Sequence, residues 1–98
     1  ASGAIICNWA LYDEIRLRLV GNVSLVFQSA VDGQGCLIKL AQDAAGGHTV
    51  ALPSSVRYNT LLTAYVASSA PGLADKVGFI YDSGDSKYDL VSLVPGIF

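Results

Sequence analysis

Methionine is absent from the 98 residues, tryptophan and histidine occur once each, and there are only two cysteines and three prolines. One histidine and two widely separated cysteines, with no CxxC spacing, cannot complete a four-ligand zinc site. Charge is scarce too. Asp, Glu, Lys and Arg make up 14% of the chain, little more than half of the roughly 25% usual for a soluble domain. The net charge is −2, and the densest basic feature in the sequence is the pair Arg16 and Arg18. A surface that tracks phosphates is therefore not indicated, which argues against nucleic acid and anionic lipid as partners. No apolar run approaches 18 residues, so no membrane span is expected. The ten glycines and three prolines show no period, which excludes collagen-like and low-complexity chains.

What is present is apolar. The hydrophobic fraction is 52% and the mean hydropathy +0.47, far from the composition of a disordered chain. The length fits one domain, residues 1–98. A domain this small has much surface for its volume. With so little charge to cover that surface, a buried interface between copies of the chain is expected. The sequence opens at Ala1 with no methionine. A removed export signal would account for that and would place the protein in a secreted or periplasmic setting; a boundary cut would account for it equally. An oxidised Cys7–Cys36 pair would close a loop of about thirty residues and stabilise by roughly 3–4 kcal/mol. The other reading is two buried free thiols that act as small hydrophobes.

The segment from Trp9 to Val20 alternates, with Leu11, Ile15, Leu17 and Leu19 on one side and Tyr12, Glu14, Arg16 and Arg18 on the other. Period two with a polar face predicts a half-buried strand. Gly21-Asn22 is a hairpin signal. A second strand over 22–29 points Val23, Leu25 and Phe27 inward. A third over 36–41 does the same with Cys36, Ile38 and Leu40. Residues 42–49 read as a loop and 50–52 as a short extended piece. Pro53-Ser54-Ser55 is a helix entry. Tyr58, Leu61, Leu62, Tyr65 and Val66 then form an apolar stripe that predicts a helix over 56–67. Strands over 77–82 and 88–94, joined by Ser83-Gly84-Asp85, complete the chain, and Pro95-Gly96 is expected to end its order. The element order β-β-β-α-β-β is that of the OB-fold, a mainly-β five-stranded Greek-key barrel with one helix.

Catalytic sets are hard to assemble from these residues. His48 sits between glycine-rich and polar neighbours with no G-x-S-x-G nearby, and reads as a solvated loop residue. Asp13 and Glu14 are adjacent on a strand, so they face opposite ways and cannot flank one glycosidic bond. Asp82, Asp85 and Asp89 lack EF-hand spacing, and Asp82-Ser83-Gly84-Asp85 reads as turn chemistry. Asn22-Val23-Ser24 is formally a glycosylation sequon, although Asn22 also serves a turn. No enzyme activity, metal or cofactor is implied. OB-folds that bind single-stranded nucleic acid stack bases on aromatics in a basic groove. Phe27, Phe79 and Tyr81 lie on strands here, but the basic groove is missing and both phenylalanines read as core.

Three stretches together resemble a known family. They are Leu11-Tyr12-Asp13-Glu14-Ile15 leading to Leu19-Val20-Gly21, then Leu52-Pro53-Ser54-Ser55 with Leu61-Leu62, then Lys76-Val77-Gly78-Phe79-Ile80-Tyr81. In this order, from about Cys7 to Leu93, the chain resembles the B subunits of AB5 toxins, in the subtilase-cytotoxin and pertussis-like branch. The resemblance implies a secreted ring of OB-fold subunits, a homopentamer in the family, that recognises cell-surface glycan and in some members carries a toxic A subunit. Tyr12 stands where the family has a small hydroxyl residue. Cys7 lies ahead of the first strand rather than on the second, a pattern closer to unattached relatives of the toxin subunits. Aromatic faces and hydroxyl or carboxylate groups suit sugars, which makes Tyr12, Asp13, Tyr81 and Tyr88 the candidate ligand-binding residues. The alternatives are a structural or protein-interaction oligomer with no sugar site, and a single-stranded nucleic-acid binder.

Overall fold

A computed structural model describes residues 1–97 and contains strands and turns, with no helix among the described residues. The strands are β1 (Gly3–Asn8), β2 (Glu14–Leu19), β3 (Val23–Gln28), β4 (Gly35–Gln42), β5 (Val50–Ala51), β6 (Val56–Arg57), β7 (Ala74–Asp82) and β8 (Lys87–Ile97). They form a three-stranded sheet of order β1-β3-β5 and a five-stranded sheet of order β2-β4-β7-β8-β6.

The first half of the chain winds between the two sheets. β1 lies in the small sheet and β2 in the large one. β3 then returns to lie parallel to β1, and β4 to lie parallel to β2; β5 is parallel to β3. β7 and β8 close the large sheet as an antiparallel hairpin against β4. The expected alternation holds over β2, β3 and β4, where Leu19, Val23, Leu25, Cys36, Ile38 and Leu40 are all buried, but the strand expected from Trp9 begins only at Glu14 and Leu11, expected inward, is 69% exposed. Between the sheets Phe27 meets Trp9, Phe79 and Tyr88 edge-to-face, with ring centroids 5.6, 5.2 and 5.0 Å away, a favoured aromatic geometry.

Larger expectations are overturned. The OB-fold order fails because the helix over 56–67 does not form. Leu61 and Val66 of the supposed stripe are 91% and 85% exposed, so the stripe buries no common face. Asn59 takes over the local amides: its Oδ1 accepts from Leu61 and Leu62 N–H, and its Nδ2 donates to Leu90 C=O. Such a side chain offers the backbone an alternative to a helical turn, and Val56, Tyr58, Thr60, Thr63 and Tyr65 are all weak helix formers. The meander fails as well. Gly21-Asn22 carries the chain from one sheet to the other; Asn22 C=O accepts from Gly3 N–H and its Oδ1 from Thr49 N–H.

The Cys7–Cys36 disulfide is absent. Both cysteines are free and buried, on inward faces of opposite sheets, and burial pushes each thiol up to about 11. They behave as the small core hydrophobes of the alternative reading. Order does not end at Pro95-Gly96 either, since β8 continues to Ile97.

The irregular stretch between β6 and β7 is held by a buried carboxylate. Asp75, on β7, accepts from Tyr65 Oη at 2.7 Å, Ser68 N–H at 2.9 Å and Gly96 N–H at 3.0 Å. Burial alone would raise its pKa. The hydrogen bonds from Ser68, Tyr65 and Gly96 outweigh that and hold it below the ordinary carboxylate value.

Candidate functional site

A cavity of about 640 Å³ opens where the β1–β2 connection meets the β3–β4 turn, and is lined by residues including Trp9, Asp13, Ser29, Asp32 and Gln34. Gln34 builds it. Its Nε2 donates to Trp9 C=O at 2.8 Å and to Asp13 Oδ1 at 3.2 Å, while its Oε1 accepts from Val31 N–H at 3.1 Å. One side chain thus fixes both walls. Ser29 sits in the left-handed region at φ 66°, an uncommon conformation for a non-glycine residue, and it redirects the chain off β3 to form the rim. Asp32 Oδ1 accepts from Ser83 N–H at 3.0 Å, which ties the cavity to the β7–β8 turn. Trp9 is buried and its Nε1 makes no hydrogen bond with the described residues. The walls are mostly apolar, with the carboxylates of Asp13 and Asp32 set into them. No three of His, Cys, Asp and Glu gather as a metal-holding group among the described residues.

The four candidate ligand residues do not converge. Asp13 lines this cavity. Tyr12 is exposed and lines a different one, with Ile5, Ile15 and Leu17. Tyr88 is buried in the core and tilts against Tyr81 with centroids 4.6 Å apart, so its ring offers no free face. Compared with family models, curated proteins and solved structures, the chain finds no match in any of the three.

Two other clusters clarify roles the sequence left open. His48 is half-buried rather than solvated: its Nε2 lies 3.0 Å from Asp43 Oδ1. Asp43 also accepts from Ala45 and Gly46 N–H; the Gly46 bond is the main cause that lowers its pKa. Buried Gln42 then clamps the loop, donating to His48 C=O and Ser68 C=O. Arg57 draws together Asp82, Asp85 and Asp89, and its hydrogen bonds lower the Asp89 pKa. Asp82 Oδ1 meanwhile accepts from Gly84 N–H at 2.9 Å, the turn role expected of it. What sequence reading missed is Gln34. A glutamine in a turn carries no signal until its two walls are known.

The outer surface of the small sheet is uncharged. Ile6 and Val26 are register partners, 63% and 43% exposed, and beside them Ser24 pairs with both Ala4 and Ala51. The outer surface of the large sheet is the opposite. Arg16 pairs with Lys39 and Lys39 with Lys76, three cations in direct register across β2, β4 and β7, with Arg18 next to them. This row with Arg18 holds four of the chain's six Lys and Arg residues against one carboxylate, Glu14, which Arg16 engages at 2.9 Å, while Arg57 and its aspartates lie at the β8-β6 end of the sheet. Sequence distance concealed this row.

Proposed function

We propose that the protein is a non-catalytic subunit that self-associates through the outer face of the β1-β3-β5 sheet and serves as a structural or interaction module. The supporting observation is the charge-free surface of Ala4, Ile6, Ser24, Val26 and Ala51, all exposed. An uncharged, partly apolar sheet face of this kind marks an association surface when it belongs to a soluble chain. The low charge content points the same way. Light scattering should give a mass at least twice the 10.2 kDa of one chain. Ser24→Asp with Val26→Asp should return it to a single chain while the fold remains. A wild-type monomer at working concentrations would sink this reading.

A second reading, glycan recognition, is favoured by the cavity around Asp13 and Gln34. An apolar lining with the carboxylates of Asp13 and Asp32 set into it suits the C–H faces and hydroxyls of a saccharide, since small polar ligands are oriented by a few fixed groups in a concave site. Glycan-array binding is expected to fall at least tenfold in Asp13→Ala. Silence across neutral and sialylated glycans would remove the sugar and leave the self-associating module.

A further inference from the structure

We propose that the free edge of β2 receives an extended strand from a protein partner, with acidic side chains at alternate positions and apolar ones between. β2 is the outermost strand of the large sheet and is paired on one side only, with β4. Asp13 C=O accepts from Leu37 N–H on the β4 side. By the alternation of a strand, the backbone groups of Glu14 and Arg16 therefore face away from β4. Unpaired edge groups of this kind are a template for another strand.

The chain itself shows that the edge can be used. Ala1 nitrogen donates to Arg18 C=O at 2.6 Å, and Val20 N–H donates to Ala1 C=O at 3.0 Å. One residue is thus already seated on the edge in parallel fashion, opposite Leu19. The Glu14–Leu17 stretch of edge beside it carries no strand among the described residues.

The two faces of that stretch specify the occupant. Residues directly opposite each other on paired strands point the same way, about 5 Å apart. A side chain opposite Arg16 would join the outer face beside Arg16, Arg18 and Lys39. Another cation there would extend a like-charge row, and a carboxylate would neutralise it. A side chain opposite Ile15 or Leu17 would turn inward, into a cavity of about 330 Å³ lined by Ile5, Tyr12, Ile15 and Leu17 among others. That space takes an apolar group. The outer rows around Arg16, Lys39 and Lys76 carry no aromatic residue, so they offer nothing on which a nucleic-acid base could stack. This inference does not depend on self-association, whose face shares Ile6 with this cavity and otherwise uses Ala4, β3 and β5 of the other sheet.

The test is an NMR titration of the Ser24→Asp, Val26→Asp protein with capped six-residue peptides that alternate valine with glutamate or with lysine. The glutamate peptide should shift and slow the exchange of the Glu14 and Arg16 amides, and bind at least tenfold more tightly than the lysine peptide. Arg16→Glu with Arg18→Glu, checked for a retained spectrum, should invert that preference. Equal binding of the two peptides, or shifts confined to other strands, would overturn the proposal. So would a sulfated polysaccharide or a DNA oligomer that protects the same two amides as strongly as the peptide does.

Discussion

Asp75→Ala should lower the unfolding free energy by about 3–5 kcal/mol, because it strands three donors at once in a site that is 1% exposed. Tyr65 Oη, Ser68 N–H and Gly96 N–H all lose their acceptor. Tyr65→Phe removes one donor and leaves the carboxylate its other two, so a loss of about 1–2 kcal/mol is expected. Urea denaturation followed by tryptophan fluorescence measures both, since Trp9 lies in the core. The pH dependence has a defined sign. The folded pKa of Asp75 is lowered, so its contribution is fully present above the unfolded value, about 3.9. It is lost as pH falls through the folded value below that. Wild-type stability should therefore drop steeply below about pH 4, and Asp75→Asn should flatten that drop. An unchanged acid limb in Asp75→Asn would show that another carboxylate governs it.

Gly46→Ala should be nearly as damaging, at about 2–4 kcal/mol. Gly46 has φ +68°, and a Cβ there would lie 2.6 Å from Ser69 C=O and 2.8 Å from Pro71 nitrogen. These are backbone atoms, and they are already engaged: Gly47 N–H donates to the same Ser69 oxygen at 2.7 Å. Gly47 supplies the control. Its φ is +75°, but a Cβ would meet nothing within 4 Å. Gly47→Ala should therefore cost only the left-handed penalty, about 1 kcal/mol. Denaturation midpoints of the two variants separate steric conflict from backbone strain; similar losses would mean that the 42–48 loop shifts freely away from 68–72.

These two sites also show what the sequence could and could not convey. Period two over 9–20, 22–29 and 36–41 identified the inward residues of β2, β3 and β4, because burial selects side chains one at a time, but it overran the first strand: Leu11, expected inward, lies ahead of β2 and is 69% exposed. The period carried nothing about partners. Whether Leu19 and Val23 face each other in one sheet or lie in two depends on contacts with Gly3 and Thr49, far along the chain. The β7–β8 hairpin was legible because its turn is local: Asp82 caps Gly84 two residues away. The 56–67 stretch misled for the opposite reason. Its spacing matched a helix, while the groups that decide its course, Leu90 C=O and the Asp75 carboxylate, lie on β8 and β7. Of the candidate ligand residues, Asp13 reached a cavity because Gln34 holds it there. Tyr88 was drawn into the core by Phe27 and Tyr81, partners that alternation alone does not name.

The alternating winding of β1 to β5 bears on how the protein emerges during synthesis. The ladder of β1 with β3 is not complete until residue 28 exists, nor that of β2 with β4 until residue 42 does. β4 stays open on its far side until β7 is complete at Asp82. Early translation therefore produces unpaired, apolar ribbons that must wait for later ones, and contacts of such long sequence separation close slowly. The nascent chain spends that interval with its stickiest segments bare, which makes the rate of elongation and the crowding of neighbouring ribosomes direct determinants of how much of it reaches the native form.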